Sequence, residues 1–424
     1  MIISEIYKPK LDEKLYKIAH PSGLDIFVLP KKNYMKKYAY FITKYGALYN
    51  EFVDENGENI KLPLGIAHFL EHKIFEDKEK DMFSEFARLG ASVNAYTNFA
   101  STVYYFSTVN NFDESLKLLV NFVLTPHITD KNVEKEKGII VQEIKMYDDD
   151  PNWRVYFNGL SAMYENHPIK EDIAGTEETV NNSHVDDLMK AYNTFYSPNN
   201  MVLFLIGDIE FETMKDYVQE IIPETYLDKK EYGKIVIKNE KEKVNKDLVE
   251  MTMDIPTPMF NFFIKGEKAE LDEYNFKKSM INRIALDYLF GRSSDFYNTY
   301  YEKGLINDSF GHEYSYGLGY SYYNFGGESS DADYMSKKVI ETIDKYNNEG
   351  IDELSFARIK KKIMGRHISS FNSIQYIANS FINYYIKGIN LLDFLDIVES
   401  ITIEDVDNSL KLDLIGKTTL SKIK

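Results

Sequence analysis

The pattern of apolar and polar positions in the first half of the chain alternates between short strand-like runs and longer helical ones. Short runs rich in β-branched and aromatic residues are typical of strands, whereas apolar residues three or four positions apart indicate amphipathic helices. Strands are predicted at 24–30, 38–45 and 201–206 and, as a pair, within 91–108. Helices are predicted after Pro63 and Gly65, around 80–89, and at about 112–124, 130–148 and 184–195. This half is therefore predicted to be a mixed αβ domain.

The composition changes between residues 223 and 246, where Lys and Glu dominate and apolar residues are few. Such a segment is typical of a solvated linker. A second αβ block follows, with strand-like sequence at 247–265, helices at 271–290, 332–348 and 352–388, and a final helix and strand. Both blocks share this ending, which suggests a weak internal duplication. We therefore expect an N-terminal domain at 1–222, a linker at 223–246 and a C-terminal domain at 247–424.

The segment His68-Phe-Leu-Glu-His72 carries the clearest chemical signal of the chain. On a helix, His68 and His72 lie one turn apart on one face, with Glu71 beside them. Two imidazoles can hold Zn²⁺ while a carboxylate handles the proton of a water molecule. The order H-x-x-E-H is that of the inverzincin zinc peptidases. The alternative is a structural histidine pair, which would leave three polar groups on an apolar helix without an evident partner.

A catalytic zinc site generally takes three protein ligands, and the best candidates for the third lie in the predicted helix 130–148. Glu136 and Glu143 are seven positions apart on its apolar side. Buried carboxylates need a cation or hydrogen-bond donors, but the pattern alone also allows a partly exposed position. A zinc site that lacks one ligand favours the functional interpretation. The aspartates at 148–150, ahead of Pro151, are predicted to be a solvated helix end.

Composition narrows the functional classes. The formal charge of −17 argues against a nucleic-acid-binding protein, since phosphates must be neutralised by Lys and Arg. It is compatible with basic or neutral peptide substrates. The chain has no cysteine, so metal ligands must be His, Asp or Glu. Neither a signal peptide nor an apolar run long enough to span a bilayer is visible. We expect a cytoplasmic enzyme without membrane contact.

The two segments that carry these residues resemble the pitrilysin family of zinc metallopeptidases, which includes insulin-degrading enzyme and the mitochondrial processing peptidase. The resemblance lies in Gly65-Ile-Ala-His-Phe-Leu-Glu-His72 and in Glu136-Lys-Gly-Ile-Ile-Val-Gln-Glu143. It implies one Zn²⁺ per chain, bound by His68, His72 and Glu143. It further implies that Glu71 is the general base and that Glu136 supports the site, through the second nitrogen of a histidine.

A third segment, Gly90-Ala-Ser-Val-Asn-Ala-Tyr-Thr97, is similar to the edge strand that holds the substrate of these enzymes by strand addition. The resemblance places Asn94 and Ala95 near the scissile bond. The implied fold is α+β, with two homologous αβ domains that each pack a mostly antiparallel sheet with helices and form a clam-like half-chamber. The chain is most similar to the small bacterial half-length members of the family.

The second half departs from the family pattern. Many members carry an Arg and a Tyr there that bind the oxyanion of the tetrahedral intermediate. Within 301–309, Lys303 stands in place of the Arg and Asn307 in place of the Tyr. Either these residues or another group, such as Arg292 or the tyrosines of 314–323, substitutes, or a partner chain supplies the pair. A partner chain that supplies the Arg and Tyr implies a hetero-oligomer with a related subunit, and a homodimer is the alternative.

These observations predict a zinc-dependent metalloendopeptidase that hydrolyses unfolded peptides and needs a partner subunit for full activity. One alternative is a non-catalytic assembly subunit with the same fold. The intact set of zinc-binding residues argues against it, because non-catalytic members usually lose ligands. The other alternative is a subunit dedicated to the maturation of one precursor peptide, which the sequence does not distinguish from a general peptidase.

Overall fold

The computed structural model describes residues 2–54, 56–76, 81–223 and 233–424. The strands are β1 Ile2–Lys8, β2 Glu13–Ala19, β3 Asp25–Pro30, β4 Lys37–Thr43, β5 Glu51–Val53, β6 Asn59–Lys61, β7 Ala91–Thr97, β8 Thr102–Thr108, β9 Met201–Gly207, β10 Lys234–Ile235, β11 Leu248–Met251, β12 Met259–Lys265, β13 Gly311–Gly317, β14 Tyr320–Glu328 and β15 Thr418–Ile423. The α-helices are α1 Ile66–Ile74, α2 Met82–Arg88, α3 Phe112–Leu124, α4 Asp130–Asp148, α5 Pro151–Met163, α6 Glu177–Asn181, α7 Val185–Phe195, α8 Phe211–Ile221, α9 Glu273–Phe290, α10 Asp295–Glu302, α11 Ala332–Glu349, α12 Glu353–Ser370, α13 Ile374–Ile386, α14 Phe394–Glu399 and α15 Ile403–Asp407. None of these described helices is long and apolar enough to cross a membrane.

The chain forms two compact units, each assembled from three stretches. Unit 1 comprises Met1–Ile144, Asp172–Val236 and Ser370–Ile386, and unit 2 comprises Lys145–Glu171, Ile237–Ser369 and Lys387–Lys424. Helix α5 from the N-terminal half therefore belongs to unit 2, and helix α13 from the C-terminal half belongs to unit 1. The predicted division of the sequence into 1–222, 223–246 and 247–424 stays a prediction.

Unit 1 is built on a seven-stranded sheet in the order β1-β2-β3-β9-β4-β8-β7. All neighbours are antiparallel except β3 and β9, which run parallel. Central strand β9 is buried along its whole length, in keeping with its uninterrupted apolar sequence. Helix α13 packs on β4 and β9, where Phe381 stacks on Phe204 with ring centroids 4.0 Å apart. A small sheet in the order β10-β5-β6 completes the strands of this unit that the structure describes.

Unit 2 is built on a five-stranded sheet in the order β11-β15-β12-β14-β13, in which only the β11–β15 pair is parallel. Helix α5 lies against β12 and β15 of this sheet. Its close approach depends on Gly159, where a Cβ atom would lie 2.1 Å from the ring of Phe263. Both units therefore combine a mostly antiparallel sheet with helices, and the predicted α+β class is confirmed.

The helical pattern differs from the prediction in several places, since α8 and α10, for example, have no predicted counterpart. The segment 352–388, predicted as one helix, forms α12 and α13 with a break at 371–373. Helix α5 was not predicted, and the aspartates before it were interpreted only as a helix end. Asp150 is in fact the N-cap of α5, where its carboxylate accepts a hydrogen bond of 2.9 Å from the Asn152 amide, and Pro151 occupies the first turn. Both residue types are favoured at these positions, so the signal for α5 was present.

The segment predicted as a solvated linker is partly anchored. Residues 224–232 of it lie outside the described residues, and Lys234–Ile235 form β10. Glu240 makes an ion pair of 2.9 Å with Lys265. Both side chains are buried, with 4% of Glu240 and 3% of Lys265 exposed. The same carboxylate accepts hydrogen bonds from the backbone amides of residues 165–167. Although burial alone raises the pKa of Glu240, Lys265 and these amides lower it to about 2.

Glu240→Gln is expected to reduce the free energy of unfolding by about 3 kcal/mol, because it leaves the Lys265 ammonium buried without a counter-charge. A folded-state pKa below the ordinary value stabilises the fold above pH 4.5 and loses this contribution as the pH falls towards 2. In the variant, the free energy of unfolding should therefore fall less as the pH is lowered from 4.5 towards 2. Urea unfolding at several pH values measures both effects. Glu242→Gln, at an exposed position of the same segment, is the matched control, and an equal loss in both variants would contradict the prediction.

Candidate metal centre

Helix α1 places both histidines of the motif in the interior of unit 1. It begins after Gly65, whose φ of 85° is in the left-handed region that favours glycine. A Cβ atom there would also lie 2.2 Å from the carbonyl oxygen of Ala174, so glycine permits the close approach of two backbone segments. His68 and Glu71 are buried on the helix, and His72 is half-buried. The helix start is thus determined by backbone packing, and the motif follows immediately.

Helix α4 brings Glu143 to the two imidazoles. The Nε2 atoms of His68 and His72 are 3.3 Å apart, and Glu143 Oε2 lies 3.6 Å and 3.4 Å from them, respectively. The ligand atoms of a tetrahedral zinc site, with bonds of about 2.0–2.2 Å, lie roughly 3.3–3.6 Å apart. All three atoms can offer a lone pair to a metal ion when Nε2 of each imidazole is unprotonated. The donor set and its spacing therefore fit Zn²⁺, and these three residues form a group that could hold a metal ion.

Glu136 does not belong to this group but contacts His72 from the other side. Its Oε1 lies 3.1 Å from His72 Nδ1, and its Oε2 accepts a hydrogen bond of 3.3 Å from Lys73. Lys73 has no exposed side-chain surface and also donates to the carbonyl oxygen of Asn132 at 3.0 Å. A carboxylate that accepts from Nδ1 directs Nε2 of the same ring towards a metal. Sequence reasoning missed Lys73, although a lysine adjacent to His72 on an apolar helix was a signal for a buried counter-charge.

Glu71 lies beside the metal centre and is held by a neighbouring strand. Helix α1 packs on β7, and Thr97 at the end of that strand donates a hydrogen bond of 2.7 Å to Glu71 Oε2. The Thr97 hydroxyl is itself 3.2 Å from that of Thr102. Burial raises the pKa of Glu71, which makes its carboxylate a stronger base. Sequence reasoning included Thr97 in the substrate-binding strand but did not connect it with Glu71.

The two imidazoles have opposite pKa shifts. Burial, together with the nearby His72, lowers the pKa of His68 to about 4. Burial also opposes protonation of His72, but hydrogen bonds to Glu136 and Glu143 raise the pKa of this ring to about 9. His68 Nδ1 is buried and has no hydrogen-bond partner among the described residues. The carboxylates around His72 thus attract a positive charge, which a proton or a metal cation can supply.

Asn94 and Ala95 lie in β7, which forms one edge of the seven-stranded sheet. Among the described strands, β7 pairs only with β8. The Ala95 amide donates a hydrogen bond of 2.9 Å to the side-chain oxygen of Asn94. The Asn94 side chain therefore forms a hydrogen bond with the backbone of the edge strand itself.

Lys303 and Asn307 belong to unit 2, whereas the metal centre belongs to unit 1. Lys303 is exposed at the end of α10, with its ammonium 5.4 Å from the ring centre of Tyr300. The Asn307 amide donates to Glu328 at 2.6 Å, and its oxygen accepts from the backbone and hydroxyl of Ser309. The side-chain hydrogen bonds of Asn307 thus connect its own loop with the end of β14.

Comparisons with known proteins place these features in a family. Residues 58–177 match the model of Insulinase (Peptidase family M16), and residues 184–363 match the model of the Peptidase M16 inactive domain. A Bacillus subtilis (strain 168) protein named uncharacterized zinc protease YmfH is 37% identical and covers 100% of this chain and 99% of its own length. The crystal structure of an M16-like peptidase from Alicyclobacillus acidocaldarius is 31% identical, with a TM-score of 0.93 and 99% of each chain covered.

A more distant structure shows only the fold. A chain of complex III2 from Candida albicans is 16% identical, with a TM-score of 0.73 over 96% of this chain and 95% of its own. The two family models and the full-length similarity to the Bacillus subtilis protein confirm the predicted resemblance. The chain belongs to peptidase family M16.

Proposed function

We propose that the chain is a zinc-dependent metalloendopeptidase that hydrolyses unfolded peptides. The observation that carries this proposal is the convergence of His68 Nε2, His72 Nε2 and Glu143 Oε2 at the spacing of tetrahedral zinc ligands, beside the buried carboxylate of Glu71. A Zn²⁺ ion held there would polarise the scissile carbonyl and lower the pKa of a water molecule. The names of relatives as zinc proteases support the same chemistry.

The residues around this centre have separate roles. Glu71 accepts a proton from the attacking water and then delivers it to the leaving amine. Thr97 holds one oxygen of Glu71 and so orients the carboxylate. Glu136 holds the His72 ring through Nδ1. Lys73, which also pairs with Glu76 at 2.8 Å, donates a hydrogen bond to Glu136. The peptide would add as a strand to the edge of β7, with Asn94 and Ala95 near the scissile bond.

The experiment that tests the function is a digest of an unstructured peptide library by the purified chain, with and without added zinc. Metal analysis of the same preparation should give one zinc per chain. Hydrolysis that depends on bound zinc supports the proposal. A chain that binds zinc stoichiometrically but leaves every peptide intact, both alone and with a related subunit, would contradict it.

Full activity is proposed to need a related subunit that carries the Arg and Tyr of the family. The Asn307 amide already donates to Glu328, and Lys303 is exposed beside Tyr300, so neither resembles a preorganised oxyanion donor. We expect the chain alone to hydrolyse peptides slowly, because loss of one such donor costs roughly 10²–10³-fold in rate. Lys303→Ala combined with Asn307→Ala should change this basal rate by less than twofold. If the unsubstituted chain alone hydrolyses peptides rapidly and the double variant loses this activity, the partner is not needed. A cytoplasmic location stays part of the proposal.

A further inference from the structure

Unit 2 contains a cavity of about 700 Å³ that the metal centre does not use. It lies where residues of α9 and α12 face the edge strand β13. Its volume falls within the range of about 300–1,000 Å³ that is usual for ligand pockets. The place in the fold resembles that of the metal centre, since α1 packs on edge strand β7 in unit 1 as α9 packs on edge strand β13 in unit 2.

The cavity has a positive charge excess in an acidic protein. Five basic side chains line it, against the two acidic side chains of Asp287 and Glu313. The basic residues are Arg283, Arg292, Lys362, Arg366 and Lys387. Counted over the lining side chains alone, the excess is three positive charges, whereas the whole chain has a formal charge of −17. Asp308, which does not line the cavity, lies 3.8 Å from Arg292 and offsets part of this excess. A local charge of this sign attracts anions that the rest of the surface repels.

The acidic groups do not neutralise the cavity. Asp287 is already engaged by Lys362 at 3.1 Å and lies 3.8 Å from His312. Arg283 and Lys387 have no carboxylate partner among the described residues. The Lys387 ammonium lies 4.2 Å from the ring centre of Tyr316, and burial lowers its pKa to about 8. A half-buried ammonium that lies next to an aromatic face and has no carboxylate partner among the described residues is a site at which a ligand carboxylate would be stabilised.

The walls of the cavity distinguish between anions. Phe290, Tyr314 and Tyr316 contribute aromatic surface beside the charged groups. A peptide segment can use both, since its backbone and apolar side chains contact the rings while its carboxylates meet the cations. A bare inorganic anion would use only the charges.

We propose that this cavity binds carboxylate-bearing segments of peptide substrates, with Arg283 and Lys387 as the groups that meet the carboxylates. The inference rests on the proposed peptidase function and adds a preference for acidic segments. The overall charge is compatible with basic or neutral substrates, so a preference for acidic segments would be due to a local site.

The test measures binding by fluorescence anisotropy, with Glu71→Gln in the background so that bound peptide is not cleaved. Two labelled unstructured peptides differ only in a central Glu-Glu-Glu or Gln-Gln-Gln. The Glu peptide should bind about tenfold more tightly at low salt, as two charge-assisted contacts suggest. Arg283→Gln combined with Lys387→Gln should abolish this preference and leave binding of the Gln peptide unchanged. Arg283→Lys with Lys387→Arg, which keeps both charges, should retain it.

The matched control removes the same charge elsewhere on unit 2. Lys337 and Lys361 are exposed on α11 and α12 and do not line the cavity, so Lys337→Gln with Lys361→Gln should keep the preference. The proposal would be overturned if both double Gln variants lost the preference for the Glu peptide equally, or if the unsubstituted cavity showed no such preference. Hydrolysis of the Gln peptide by the zinc-loaded unsubstituted chain tests the peptidase function separately.

Discussion

Glu71→Gln is expected to retain zinc and to lose peptide hydrolysis by roughly 10²–10⁴-fold, the usual contribution of a general base. Glutamine has almost the same size and can still accept the hydrogen bond from Thr97, so the local packing should be preserved. It cannot take a proton from water. Because the three side chains proposed to bind the metal are untouched, metal content should stay at one zinc per chain. Steady-state hydrolysis of a quenched fluorescent peptide and metal analysis of the same sample measure the two quantities.

The control for this prediction is Glu114→Gln, which changes an exposed carboxylate on α3. It should leave both zinc content and hydrolysis at the level of the unsubstituted chain. A Glu71→Gln variant that hydrolyses peptides at an undiminished rate would eliminate Glu71 as the base. Loss of zinc together with activity would instead give Glu71 a part in holding the metal.

His72→Ala is expected to lose both zinc and hydrolysis. The substitution removes one ligand atom and also leaves Glu136 and Glu143 without the ring that they contact at 3.1 Å and 3.4 Å. Loss of a supporting hydrogen bond alone typically reduces metal affinity by roughly 10–100-fold, and loss of a ligand should exceed that. Glu136→Gln should therefore be intermediate, with weakened zinc binding and activity that added zinc restores. Competition with a fluorescent chelator gives the affinities.

His127→Ala is the control, because His127 is an imidazole of unit 1 outside the group that could hold a metal. The zinc affinity of the His127→Ala variant should equal that of the unsubstituted chain. The assignment of His72 would be wrong if His72→Ala bound zinc as tightly as His127→Ala. Thermal unfolding of the metal-free proteins separates loss of the site from loss of the fold.

Most secondary structure was predictable because it depends on neighbours in sequence. The helices at 112–124 and 130–148 have the predicted bounds, since apolar periodicity marks their buried faces. The break at 371–373 was not predicted, because the apolar pattern continues through it while α12 and α13 belong to different units. Apolar periodicity indicates that a helix is covered on one side, but it does not indicate by which sheet.

The same reason separates what could be predicted of the site from what could not. The spacing of His68, Glu71 and His72 determined a two-histidine face with a carboxylate, because one helical turn is a local property of the backbone. Lys73 donates to Glu136, 63 positions away, and Thr97 donates to Glu71 from 26 positions away. Only the tertiary structure decided these contacts. It also decided that α5 belongs to unit 2 and α13 to unit 1, and it formed the cavity of unit 2. The physical reason is that packing between distant segments leaves no periodic signal in the sequence.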